Sequence, residues 1–228
     1  MLEINKIYNI DCYEGIKLLE DNSIDFLLTD PPFLISRKTN FHTMKGHRGT
    51  SMDFGDWDKN TDILSWLDLI KPKLKENCNI IIFNAWENLG KIAPKIREIG
   101  FTPKRTLIYQ KLNPAPFNRD RLFVNSMEFM IYATGKKWVF NRRKDKKLEI
   151  GIFEYSVQRK TYHTTPKPLG LIKELIEILS NKNQLIVDSF IGSGTTAIAA
   201  LELNRNFIGF EINQEYHKTA CNRIEQPI

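Results

Sequence analysis

The sequence predicts an α/β fold: a mostly parallel sheet flanked by helices, permuted so that its glycine-rich turn falls near the C-terminal end. Three observations carry this reading. Short apolar runs rich in β-branched and aromatic residues recur at Ile7 to Ile10, Ile24 to Thr29, Ile80 to Phe83, Thr106 to Tyr109, Phe129 to Tyr132, Leu185 to Val187 and Phe207 to Phe210. Their brevity and near-continuous apolarity suit strands covered on both faces. Helix-spaced stripes lie between several of them, and such alternation points to a parallel sheet. Finally, Gly192-Ser193-Gly194 sits between a strand and a helix, the turn such sheets use to receive a ligand.

The elements follow in order. Ile63, Leu64, Trp66, Leu67 and Ile70 make one helical stripe, and Leu89, Ile92, Ile96 and Ile99 a second, ended by Gly100. Leu171, Ile172, Leu175, Ile176 and Leu179 make a third. A chain of 228 residues with 42% apolar content suits a single domain over 1–228. Two stretches break the alternation. The polar, glycine-containing segment 34–60 is too long for an ordinary connection, and loops of that length are commonly functional or disordered. Within 113–160 lies a basic run holding Arg142 and Arg143, which reads either as a solvated face or as a phosphate contact.

Charge and cysteine usage bound the setting. Lys and Arg number 33 against 27 Asp and Glu, a net charge of +6 that mildly favours an anionic partner. Cys12, Cys78 and Cys221 are odd in number, far apart and lack Cys-x-x-Cys spacing, so neither a disulfide framework nor a metal site is indicated. The N-terminus lacks a signal-peptide pattern, and no run of about 18 apolar residues exists for a membrane span. A cytoplasmic protein is expected.

Leu185-Ile186-Val187-Asp188 reads as a strand, Gly192 and Gly194 as a turn, and Thr195-Thr196 onward as a helix. Glycine lets the backbone turn sharply and a ligand approach without a Cβ in the way. The next strand ends at Glu211, roughly 20 residues beyond Asp188, the separation that puts a carboxylate on a ribose. The same glycines also satisfy the dinucleotide pattern G-x-G-x-x-A, which keeps a nicotinamide enzyme in view. A triphosphate loop is excluded because no Gly-Lys-Ser/Thr follows. Beyond Gly194 there is room for one helix, one strand and a terminal helix, so the remaining strands must come from earlier in the chain.

One of those earlier strands, Ile24 to Thr29, delivers Asp30-Pro31-Pro32-Phe33 to the carboxyl edge of the sheet. Two prolines make a rigid elbow. The Asp30 carboxylate and the Pro31 carbonyl are then two acceptors beside an aromatic ring, a match for an exocyclic amine on a flat base. Alone, Asp-Pro-Pro reads more readily as a proline turn after a strand.

Taken together, these strings resemble the permuted beta class of amino-methylating DNA methyltransferases that use S-adenosylmethionine. The resemblance spans nearly the whole chain. It rests on Asp11-Cys12, Thr29-Asp30-Pro31-Pro32-Phe33, the segment from Lys111 through Asn113 to Pro116, His163 to Pro168, Asp188 to Thr196 and Asn206 to Glu211. It looks most like the small adenine-specific members of restriction-modification systems, and departs from the class in Phe33 for the usual Tyr, in Thr164 and Pro166 on either side of the matching Thr165, and in Ser189. The resemblance implies methyl transfer to the N6 amine of adenine in a flipped-out base. Asp30, Pro31, Pro32 and Phe33 would grip that base. Asp11, Cys12, Asp30, Thr165, Lys167, Asp188, Phe190, Gly192, Ser193, Gly194, Thr195, Thr196 and Glu211 would hold the cofactor, with Thr165 and Lys167 near its carboxylate. DNA is the expected partner, contacted through insertions at 34–60 and within 113–160, with Arg37, Lys38, Arg48, Asn113, Arg119, Arg142 and Arg143 as candidates. A cognate restriction endonuclease and a homodimer are further partners to look for. N4-methylation of cytosine is the alternative chemistry, disfavoured by Asp30 where cytosine-specific relatives often carry Ser; a catalytically silent DNA-binding regulator is the alternative role.

Overall fold

The computed structural model describes residues 2–32, 64–116, 119–158 and 166–225. Its strands are β1 (Lys6–Tyr8), β2 (Ile24–Thr29), β3 (Leu74–Asn84), β4 (Thr102–Lys111), β5 (Met127–Thr134), β6 (Ile152–Tyr155), β7 (Leu185–Asp188) and β8 (Asn206–Phe210). The helices are α1 (Cys12–Lys17), α2 (Ser65–Ile70), α3 (Trp86–Glu98), α4 (Leu169–Leu179), α5 (Thr195–Glu202) and α6 (Gln214–Glu225). All eight strands join one sheet in the order β1-β8-β7-β2-β3-β5-β4-β6. β5 runs antiparallel to both its neighbours, and every other pairing is parallel.

Because successive strand residues point to opposite faces, each central strand feeds two cores. Phe26, Leu28, Ile81 and Phe83 pack on one face with α4 and α5. Leu27, Ile80 and Ile82 pack on the other with Ile16, Trp66, Ile92 and Ile96 of α1, α2 and α3. The result is three layers, helix on sheet on helix. α4 shows where the stability comes from. It has no side-chain N-cap, a lack worth about 1 kcal/mol, but it buries six apolar residues at about 1.5–3 kcal/mol each.

Local termini follow known chemistry. Asp11 caps α1, its Oδ1 accepting the Tyr13 N–H at 2.8 Å. Gly100 stands in the left-handed region at φ 96°. Its N–H donates to the Arg97 carbonyl while Phe101 N–H reaches back to Ile96, the paired bonds that close a helix on glycine.

The structure extends several elements beyond the expected limits. β3 and β4 run on through Lys75, Glu76 and Lys104, Arg105, polar residues that the apolar runs do not reach. β6 is a strand the periodicity missed, being four residues with exposed Ile152 and Glu154. No helix among the described residues is long and apolar enough to cross a membrane.

Asn79 of β3 ties the sheet to its flank. Buried at 1% exposure, its Nδ2 donates to the Val139 and Leu179 carbonyls, each at 2.8 Å, and its Oδ1 accepts the Tyr132 hydroxyl. Asn79→Ala would strand those partners and should lower unfolding free energy by about 2–3 kcal/mol. Urea denaturation checks this; a loss under 0.5 kcal/mol, about that of an ordinary surface substitution, would show the network to be dispensable.

Candidate active site

The carboxyl ends of β8, β7, β2 and β3 lie side by side. From β7 the chain turns through α5 to β8, while from β2 it returns as β3 on the opposite side, so the two connections part between β7 and β2. Open α/β sheets bind ligands at such a switch point. A cleft of about 790 Å³ opens here, lined by Thr29, Asp30, Pro31 and Pro32 from one connection and Asp188 to Ser193 from the other. That volume is within the range of small-molecule sites.

Asp188 joins the two halves. Its Oδ1 accepts the Thr29 hydroxyl at 2.9 Å and the Phe190 N–H at 3.1 Å, and its Oδ2 accepts the Thr196 hydroxyl at 2.7 Å. Burial pushes its pKa up to about 6 against those three donors. Asp188 therefore shapes the turn, both of its oxygens accepting from the protein. Gly192 and Gly194 take φ of 53° and 80°. Gly192 N–H donates to Glu211 Oε2 at 2.9 Å, and Asn213 N–H donates to Oε1 at 2.8 Å. Each Glu211 oxygen keeps further acceptor capacity beside the cleft. Burial raises the Glu211 pKa, opposed by these two bonds. Phe190 meets Trp66 edge-on, ring centroids 5.7 Å apart. Ser193, Thr195, Thr196 and Asp11 also line the cleft, as does Cys12, a neutral thiol pushed by burial to about 12. A turn without a Cβ at Gly192, an acceptor at the next strand tip and a cleft lined by polar groups at both ends fit a nucleoside with a polar tail.

At the other end, Asp30 is half-buried. Its Oδ2 lies 2.6 Å from Lys167 Nζ, while its Oδ1 is shielded from water and accepts no hydrogen bond from the described residues. Lys167 also sits 3.0 Å from Glu128 Oε2, and Glu128 Oε1 is 2.9 Å from Lys111. Burial opposes the Lys167 ammonium, but Asp30 and Glu128 overcome it and hold its pKa above the usual value. Burial likewise opposes Glu128, yet Lys167 and Lys111 bring it down to about 2. Asp30 has only a share of one cation, so burial prevails and its pKa is raised. Asn84 Nδ2, also buried on the cleft wall, has no partner among the described residues. An open acceptor and an open donor suit a planar heterocycle that carries an amine beside a ring nitrogen.

Several expectations need correction or fall elsewhere. Lys167, expected near the cofactor's carboxylate, has its ammonium paired with Asp30 and Glu128, at the Asp30-Pro31-Pro32 end of the cleft. Arg143 is not a free phosphate contact: its guanidinium is bound by Glu149 and Glu174, whose carboxylates neutralise it. Arg142 donates to the carbonyls of Lys146 and Lys147, closing its own loop. Asn113 Oδ1 accepts the Val157 N–H, and Arg119 is exposed beside Asp120. Phe33, Arg37, Lys38, Arg48 and Thr165 lie outside the described residues. Glu128 and Asn84 escaped the sequence reading and Lys111 entered it only within a motif, although a glutamate directly before the apolar run Phe129 to Tyr132 was a visible signal.

A family model described as DNA methylase matches residues 24–222. A type II methyltransferase of Moraxella bovis, M2.MboI, is 32% identical, over 96% of this chain and 87% of its own. M.HinfI of Haemophilus influenzae is 28% identical, over 98% of this chain and 69% of its own. The crystal structure of M1.HpyAVI with S-adenosylmethionine superposes with a TM-score of 0.77 at 34% identity, covering 96% of this chain and 98% of that one. The PvuII cytosine-N4-specific methyltransferase shares the fold at the same TM-score and 20% identity, covering 98% and 87%.

The glycine turn is testable by contrast. A Cβ on Gly194 would stand 3.0 Å from Ala220 Cβ in a left-handed conformation, so Gly194→Ala should cost about 1–2 kcal/mol. Gly90 of α3 has open space around its Cβ position, and Gly90→Ala should gain up to about 1 kcal/mol. Equal melting temperatures for the two variants would refute the assignment of conformational strain to Gly194.

Proposed function

The chain belongs to the DNA methylase family, and from that membership we propose that it methylates the N6 amine of adenine, with Asp30 as the acceptor that grips the amine. The coarser statement is secure: it is a site-specific DNA methyltransferase that uses S-adenosylmethionine. One observation carries the finer reading. Asp30 Oδ1 is buried, lacks a partner among the described residues, and lines the same cleft as the glycine turn.

S-adenosylmethionine supplies an electrophilic methyl group. Gly192, Gly194 and Glu211 would hold its nucleoside part, with Asp11, Cys12, Phe190, Ser193, Thr195 and Thr196 around it and Asp188 holding the turn in shape. The chain's remaining work concerns the amine. An aromatic amine is a poor nucleophile because its lone pair is delocalised into the ring. Asp30 and the Pro31 carbonyl, by accepting its N–H bonds, favour a more tetrahedral nitrogen and offset the positive charge that develops during attack. The nitrogen's surplus proton then leaves through Asp30 to solvent. A carboxylate this deep is out of reach of a base inside a duplex, so the target base leaves the stack, and Phe33 next to the elbow would stack on it.

We read 1–228 as one permuted catalytic domain of a restriction-modification system, in the cytoplasm with its DNA. Arg37, Lys38, Arg48, Asn113, Arg119 and Arg142 remain the proposed DNA contacts. Arg143 leaves that set, since Glu149 and Glu174 engage its guanidinium, while exposed Arg142, bonded within the protein through Nη2, stays in it.

The test is transfer of labelled methyl to DNA. Asp30→Ala should lose about 10²–10³-fold in rate while keeping S-adenosylmethionine binding by calorimetry. Equal transfer by both proteins would refute the role of Asp30; no transfer by either, with DNA still bound, would favour the silent regulator. Sequencing the product should show N6-methyladenine, and N4-methylcytosine would move the reading to the alternative base.

The pH profile follows from the raised Asp30 pKa. The carboxylate must be ionised to act, so the rate should climb with pH through a midpoint above the 3.8 of an unperturbed aspartate and then level off. A rate unchanged down to pH 4 would contradict a titrating Asp30.

A further inference from the structure

We propose that Glu128 is a positioning residue for methyl transfer, drawing the Lys167 ammonium partly off Asp30 so that Asp30 stays available as an acceptor for the substrate amine. This rests on the reading of Asp30 given above. The charges are arranged in a row: Asp30, Lys167, Glu128 and Lys111, with contacts of 2.6, 3.0 and 2.9 Å. Two carboxylates and two ammonium groups make the row neutral. Lys167 and Glu128 come from distant parts of the chain, Lys167 just before α4 and Glu128 near the start of β5, and both line the cleft with Asp30.

The chemistry gives the row its purpose. The amine nitrogen becomes positive as it attacks, next to a methyl donor that is already a cation. An ammonium bound wholly to Asp30 would cancel the field on which that charge depends, and a net positive row would repel it. With no cation nearby, on the other hand, burial would protonate Asp30 at neutral pH. Lys167 shared between two carboxylates is the intermediate case: Asp30 remains ionised, yet one oxygen stays open. Glu128 is the residue that makes the sharing possible, and Lys111 holds Glu128 in place.

The other ionisable groups around the row among the described residues are Tyr109, whose hydroxyl is raised to about 12 by burial and Glu128, and Asp188, which feels the charge of Asp30. Neither supplies a cation, so among the described residues Lys167 is the cation in contact with Asp30 that can be redistributed.

The experiment is single-turnover methyl transfer against pH at saturating DNA and S-adenosylmethionine, for wild type, Glu128→Gln, Lys111→Met and the double variant Glu128→Gln/Lys167→Met. Glu128→Gln commits Lys167 to Asp30. Its plateau rate should fall about tenfold or more, short of losing a direct contact, while its acid limb moves to lower pH because Asp30 is paired more fully. Lys111→Met frees Glu128 to pull harder on Lys167 and should move the acid limb to higher pH. The double variant restores a neutral row but takes the ammonium from Asp30, so its acid limb should lie at higher pH than that of wild type, and above that limb it should recover most of the lost plateau rate. A purely structural Glu128 predicts an unmoved acid limb and a double variant no better than the single one, and either result overturns the proposal. If Glu128→Gln does not fold, the Lys111→Met shift decides alone: an unmoved or lowered limb overturns it. Failure of the Asp30 reading would show separately, as undiminished transfer by Asp30→Ala.

Discussion

The site depends on one buried carboxylate that does no chemistry. Asp188 ends β7 and takes hydrogen bonds from Thr29 at the end of β2, from Phe190 in the glycine turn and from Thr196 in the first turn of α5. Those three donors come from the two neighbouring strands' connections and from the helix between β7 and β8. Removing the acid would leave them unpaired in a core with little access to water, at about 1–3 kcal/mol for each buried group. What Asp188 fixes is relative position: the strand tip that carries Asp30 cannot drift from the turn that carries Gly192. The negative charge also has a use at a helix start, where α5 presents backbone N–H groups near Thr196.

The buried polar groups differ in how fully they are used. Asn79 and Asp188 are hydrogen-bonded through both of their polar atoms, whereas Asp30 Oδ1 and Asn84 Nδ2, on residues that line the cleft, have no hydrogen-bond partner among the described residues. Leaving a buried acceptor empty is costly in a folded protein. Around Asp30 that cost is moderated by Lys167, so the carboxylate tolerates its surroundings before any substrate arrives. Stability and readiness are set by the same ammonium.

Much of this was legible in the sequence, for particular reasons. Strand β2 was read to the residue, because its apolar run ends abruptly at Asp30-Pro31. Helix α3 was closed correctly at Gly100, since a left-handed residue is what the helix end requires. Two motifs far apart in the chain were assigned to one sheet edge by counting the strands left after Gly194, and β7 does pair with β2. The misses have a common cause. β6 is short and half polar, so no periodicity marks it, and its pairing with β4 is a tertiary choice. Charged partners were illegible for the same reason. Arg143 finds Glu174 and Lys167 finds Asp30 only once α4 has docked on the sheet, and local sequence carries no trace of which carboxylate a cation will meet.

The contrast between Arg143 and Lys167 shows why a basic residue's role cannot be inferred from its charge. Both are largely buried and both sit between two carboxylates. Arg143 offers several donors in a rigid fork, so Glu149 and Glu174 are held at once and the cluster is closed. Such a group has nothing left for a phosphate. Lys167 is a point charge on a flexible stem, and these two carboxylates are unequal, because Glu128 has a second cation in Lys111 and Asp30 has none among the described residues. An unequal pair around a mobile charge can be biased by what binds next to it, whereas a closed fork cannot. An arginine in place of Lys167 would tie Asp30 down by the same geometry that makes Arg143 a good structural clamp, and the amine would then meet a carboxylate already spent.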